Sequence, residues 1–176
     1  MIFGKKEEKE KKSIRVSILT NEYLVDGLDD SDSSALSGAF DAEIDDPSGG
    51  CLLLTDARVQ PMGNINTPTR TFDEWRMPSL TNVVAMFSDD PAAEDILLEM
   101  WEDYQTPFKV LIYSGTYIIE GTVYSEDEAP PDFMLLAFAP IEDLKITSQV
   151  DKKAEIIRAK WGVVNSMMMQ GYSIEK

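Results

Sequence analysis

Apolar and polar positions alternate in one order twice along the chain. Residues 15–27 read Arg-Val-Ser-Ile-Leu-Thr-Asn-Glu-Tyr-Leu-Val-Asp-Gly, and residues 109–121 read Lys-Val-Leu-Ile-Tyr-Ser-Gly-Thr-Tyr-Ile-Ile-Glu-Gly. The two align without a gap, Val16 with Val110, Ile18 with Ile112, Tyr23 with Tyr117 and Gly27 with Gly121. Period-two alternation on both sides of a short polar break predicts a β-hairpin in each copy. The turns fall on Asn21 and Gly115, the residue types that best tolerate positive φ. Gly27 and Gly121 stand inside the second strand, where glycine marks a bulge or a sharp bend. A strand that bends there can serve both walls of a small barrel. A second block follows each hairpin: Leu-Thr-Asp-Ala-Arg-Val at 54–59 matches Ile-Glu-Asp-Leu-Lys-Ile at 141–146, with Asp56 aligned to Asp143. An ungapped match followed by a matching later block points to an internal duplication.

Two other stretches carry helical spacing. Asp90 and Pro91 suit an N-cap and first helical position, and Ile96, Leu97, Met100, Trp101 and Tyr104 make one apolar face before Thr106-Pro107 ends it. Near the C-terminus, Ser148 to Asp151 fits a capping box. Val150, Ala154, Ile157, Trp161, Val164 and Met168 then recur at alternating intervals of four and three. This predicts a C-terminal amphipathic helix whose stripe is the candidate interaction face. The segments are expected as a charged head at 1–12, a first β unit at 13–62, a connector and helix at 63–107, a second β unit at 108–148, and the helix and tail at 149–176. Both faces of the second unit are apolar, Leu111, Tyr113 and Ile118 against Val110, Ile112 and Ile119, so its second face is expected to be covered by the first unit, a helix or another subunit.

The run Val110-x-Ile-Tyr-Ser-Gly-x-Tyr-x-Ile-x-Gly121, with a third strand ending near Asp143, resembles the first half of an Sm-like small barrel. It also resembles small β-barrel domains of unknown function in bacteria. The resemblance implies an α+β fold of two tandem small antiparallel β-barrel units, with the predicted helices between and after them. The second Sm half, with its RNA-binding turn, has no match, so ring assembly and RNA binding are not carried over.

Charge changes the picture of partners. The formal net charge is −16, and the acids concentrate in the β-rich middle: residues 16–57 hold ten acids and no Lys or Arg. The bases gather at the ends, with five lysines in residues 5–12. Nucleic-acid binding needs a cationic surface to displace phosphate counterions, so nucleic acid is an unfavoured partner. The head, with Ile2 and Phe3 before its lysines, is at most a weak membrane-surface tether. There is no histidine, which removes the commonest general base and metal ligand. The single cysteine, Cys51, opens an apolar run and reads as a small buried residue. The acidic stretch 28–50 fails the EF-hand order, since counting from Asp41 the sixth and twelfth positions are Asp46 and Leu52. It reads as a solvated loop.

No signal peptide or membrane span is expected, and a cytoplasmic location is the default. No catalytic, cofactor or metal residue is named. The expected function is a non-enzymatic interaction or scaffold protein, assembling with itself or with another protein. An Sm-like nucleic-acid binder is one alternative. A carboxylate metal site or enzyme is the other, and its pair, Asp26 with Glu120, comes only from the repeat.

Overall fold

A computed structural model describes residues 13–29, 52–62, 67–93, 106–132, 137–150 and 157–175. Its strands in chain order are β1 (Ile14–Thr20), β2 (Tyr23–Asp29), β3 (Leu52–Pro61), β4 (Arg70–Met77), β5 (Val83–Ser88), β6 (Thr106–Ser114), β7 (Tyr117–Ser125), β8 (Phe138–Ser148), β9 (Ile157–Asn165) and β10 (Met169–Glu175). They form one open sheet in the order β10-β6-β7-β8-β9-β5-β1-β2-β3-β4. Every neighbouring pair is antiparallel. Taken as two sets of five, β1–β5 and β6–β10, both halves have the same spatial order: fifth, first, second, third, fourth. The halves meet where β5 pairs with β9.

The hairpins form where the alternation places them. Along β6, Phe108, Val110, Ile112 and Ser114 are buried, while Lys109 and Tyr113 between them are exposed. The register repeats position for position. Val16 faces Gly27 as Val110 faces Gly121, and Ile18 faces Val25 as Ile112 faces Ile119. The second block repeats too, Asp26 facing Arg58 and Glu120 facing Lys145. Both β2–β3 and β7–β8 carry a register shift at the glycine. The fifth strands also match. Ser17 faces Phe87 as Leu111 faces Ser173, and both pairings slip one residue later along the hairpin end.

The buried side chains form two cores. One gathers Ile14, Val16, Ile18, Val25, Leu54 and Met86 of the first half. The other gathers Phe108, Val110, Ile112, Ile119, Ile141 and Ile146 of the second. The cores exchange residues at the seam. Trp161 and Val163 of β9 enter the first core, and Ala85 and Phe87 of β5 enter the second. A central strand buried on both faces is thereby shared between two apolar volumes.

These findings correct the expected α+β fold. The chain is nearly all β, and among the described residues no helix reaches seven residues. It is a single continuous sheet rather than two tandem barrels flanked by helices. The predicted C-terminal helix is β9, a short 3-10 turn at Ser166–Met168, and β10. Ile157, Ala159, Trp161 and Val163 also alternate with period two. Beyond Trp161 the strand is buried on both faces, so the polar half of the alternation is missing and helical spacing arises by coincidence. The capping box survives only as a local turn, in which the Val150 amide donates to Ser148 Oγ at 3.3 Å. Of the expected intervening helix, the described residues hold helical backbone at 91–93, where the Ala92 amide donates to Asp90 Oδ1 at 2.9 Å. Its remainder, 94–105, lies outside the described residues, as do the head 1–12, most of the acidic loop, and Cys51. The expected connector, within 63–107, holds β4 and β5. No helix among the described residues is long and apolar enough to cross a membrane.

Candidate interaction site

The two halves of the sheet meet in a seam between β5 and β9. Ala85 faces Val164, Met86 faces Val163, Phe87 faces Gly162 and Ser88 faces Trp161. Gly162 is there because nothing larger fits. A Cβ at that position would lie 2.7 Å from Leu144 Cδ2, 2.9 Å from the Met86 carbonyl oxygen and 3.0 Å from Phe87 Cβ. The Phe87 side chain takes the core position that a residue at 162 would otherwise fill. Side-chain hydrogen bonds flank the ladder. The buried Tyr117 hydroxyl donates to the Thr20 carbonyl at 3.2 Å, and Asn165 Nδ2 donates to the Leu80 carbonyl at 3.3 Å. Burial raises the Tyr117 hydroxyl above the usual tyrosine range. The two hairpin turns also touch. Gly115 has φ +59°, and a Cβ on it would stand 2.2 Å from Asn21 Oδ1. Of the two predicted turn residues, Gly115 alone takes positive φ.

The other repeat-defining residues build a matched pair of bulges. Asp56 and Asp143, at φ 47° and 53°, are the only non-glycine residues in the left-handed region among those described. Each sits across from a bend glycine. A Cβ on Gly27 would meet Leu54 Cβ at 3.0 Å and the Thr55 carbonyl at 3.1 Å. One on Gly121 would meet Ile141 Cγ2 at 2.3 Å and the Glu142 carbonyl at 2.8 Å. Asp tolerates the left-handed region better than most side chains, so the aligned acids answer a backbone requirement. Tyr23 and Tyr117 have diverged. Tyr117 is buried and spans the seam, while Tyr23 packs edge-on against Trp75 with ring centroids 5.8 Å apart.

The proposed acid pair is not assembled. Asp26 on β2 and Glu120 on β7 have four strands between them. Each serves its own half: Asp26 with Arg15 at 3.0 Å, Glu120 with Lys145 at 2.7 Å. Beside Glu120 a cleft of about 410 Å³ opens, lined by Lys109, Glu120, Asp143, Lys145, Arg158 and Glu175 among others. Its three cations and three carboxylates balance, and Lys109 Nζ is engaged by Thr122 Oγ1 at 2.7 Å. On the neighbouring bulge, Tyr124 donates to Glu142, which with burial pushes its hydroxyl up to about 12. No cluster of His, Cys, Asp or Glu suited to a metal occurs among the described residues.

The stripe predicted as an interaction face is divided by the sheet. Trp161 and Val164 are buried at the seam, Ile157 and Met168 pack half-buried against the second core, and Val150 is 66% exposed. Ala154 lies outside the described residues. On the outer face of the second half, Tyr113 is 41% exposed while Leu111 and Ile118 are half-buried. The residues that the sequence does not point to are those of the two terminal strands: Glu74 and Arg76 on β4, and Tyr172, Ser173 and Ile174 on β10, whereas Trp75, readable as an anchor with Phe72 and Met77, packs half-buried against the first core. Sequence similarity between the fifth strands, Val-Val-Ala-Met-Phe-Ser at 83–88 and Met-Gln-Gly-Tyr-Ser-Ile at 169–174, is too low to show their equivalence. The alternation of Trp75 and Met77 with charged neighbours is the signal available on β4. No family model, curated protein or solved structure matches the chain.

Proposed function

We propose that the chain is a non-enzymatic scaffold built from a duplicated β unit, and that it assembles with copies of itself. The observation that carries this reading is that the sheet ends in two strands, β4 and β10, each paired on one side only among the described residues. An open strand edge presents a row of backbone donors and acceptors, and such edges are templates for strand addition. A stable sheet leaves long edges uncovered only where charge, brevity or a partner manages them. The charge-balanced cleft and the separated acids offer no catalytic constellation to compete with this reading. A protein partner is preferred to nucleic acid because the net charge of −16 opposes a polyanion.

Light scattering on the full chain tests the reading. A mass above 19.7 kDa that rises with concentration is expected. A mass of one chain across the micromolar to millimolar range would overturn it.

A further inference from the structure

The seam inside the chain is a template for a second joint between chains. In the seam, the fifth strand of one half pairs with the fourth strand of the other. The two strands left at the ends of the sheet are the remaining fifth strand, β10, and the remaining fourth strand, β4. The register makes the equivalence residue by residue. Ser173 stands to Leu111 as Phe87 stands to Ser17, and Trp75 stands to Leu54 as Gly162 stands to Ile141. Resting on the scaffold reading above, we infer that a second copy of this chain lays its β4 along the side of β10 that is unpaired among the described residues, in the antiparallel register of the seam. That register sets Gly171 opposite Met77, Tyr172 opposite Arg76, Ser173 opposite Trp75 and Ile174 opposite Glu74.

The side chains at these positions support the match. In the seam a large residue on the fifth strand, Phe87, faces a glycine on the fourth, and a Cβ on that glycine would stand 3.0 Å from Phe87 Cβ. At the outer joint the sizes are exchanged: the fifth strand offers Ser173 and the fourth offers Trp75. Trp75 already fills its own core position, packed with Phe72 at 5.2 Å and Tyr23 at 5.8 Å between ring centroids. The small partner therefore falls where space has been taken. On the other face of the joint, Tyr172 is 44% exposed and would lie beside the exposed Arg76, a pair suited to cation–π stacking. Where the seam buries Trp161 and Val163, the outer joint has Glu74 and Arg76, which bridge each other at 3.2 Å. A polar face of this kind suits a joint that forms and dissolves. Continuing the register by one residue sets Glu175 opposite Asp73, so the joint should strengthen as salt screens that pair.

The contact is head-to-tail, so each added copy exposes the same two edges again. Such assemblies close into rings or grow as filaments.

Cysteine trapping tests the register. Chains carrying both Arg76→Cys and Tyr172→Cys, oxidised under native conditions, should give a ladder of covalent multimers at least tenfold stronger than either single variant or the unsubstituted chain. The unsubstituted chain controls for Cys51. Arg76→Cys with Ile174→Cys, two residues out of register, should link far less. Unchanged circular dichroism and melting of each variant would show that the sheet is intact. A covalent dimer from Arg76→Cys alone would mean that β4 pairs with itself, and would overturn the inference. A mass above one chain by light scattering with no ladder would overturn the edge pairing and leave the scaffold reading standing. A one-chain mass would overturn both.

Discussion

The seam and the two sheet edges occupy equivalent backbone positions but carry different chemistry. At the seam the fourth strand presents Trp161 and Val163, both buried, and a glycine that permits close approach. At the edge the corresponding positions hold Glu74, Arg76 and Trp75, with the two charged residues exposed. The seam strands are tethered in one chain and meet at high effective concentration, so an apolar surface there is covered as soon as the sheet forms. The edge has no tether, and an apolar strand there would invite indiscriminate pairing. The two halves thus share a backbone plan, while the equivalent surface is a core in one place and a rim in the other.

The largest expected effect tests that separation directly. Trp161→Ala should cost about 3–5 kcal/mol by urea denaturation, as for other large-to-small core changes. Glu74→Ala, at the equivalent edge position, should stay within about 0.5 kcal/mol. Equal effects at the two sites would remove the distinction between seam and edge.

Gly162→Ala should cost about 1–3 kcal/mol, since the new methyl meets the Met86 carbonyl at 2.9 Å as well as two side chains. The bend glycines give a sharper comparison between halves. Gly121→Ala, with contacts at 2.3 and 2.8 Å, should destabilise more than Gly27→Ala, with contacts at 3.0 and 3.1 Å. The reverse order in melting experiments would show that the bulges are not held equally.

A smaller change is expected at Asp143. Replacing it by Ala should cost about 1 kcal/mol, because an alanine has no local side-chain hydrogen bond to offset the left-handed backbone, and Asp143→Gly should restore stability. Asp56 should repeat the result in the other half. If Asp143→Ala proved neutral while Asp56→Ala did not, the two bulges would have different origins.

The smallest effect is in alkali. Tyr124 is raised to about 12 by its bond to Glu142 and by burial, and Tyr117 is raised by burial. A raised phenol favours the neutral form in the fold. Its contribution is complete below the unfolded value of about 10 and fades as pH rises through the folded value. Stability should therefore decline between about pH 10 and 12, and Tyr124→Phe should flatten that decline.

The hairpins, their registers and the paired bulges were legible because alternation, turn residues and bend glycines all act locally. Asp56 and Asp143 align in the sequence, and both take left-handed backbone. What stayed hidden depends on neighbours distant in sequence. β9 lies between β8 and β5, so Trp161 to Asn165 lost the polar half of its alternation and took on helical spacing. β4 hid in a run of Thr, Asp, Glu and Arg because an edge strand tolerates charge on its exposed positions. The candidate face failed with the helix that carried it, since a stripe at helical spacing does not share one side of a strand.

The sharing of β5 and β9 between two cores also sets a schedule for synthesis. β5 ends at Ser88, and the strand that covers its open side is not finished until Asn165. At translation rates of 5–20 residues per second the first half waits roughly 4–15 s with Met86 and its neighbours lacking their final cover. During that interval the nascent chain displays the very edge that the finished protein keeps inside. Polysomes bring several such chains close together, so a neighbouring copy's β9 could reach that edge before the chain's own. Exchange of second halves between copies is thus the characteristic misassembly this topology must outrun.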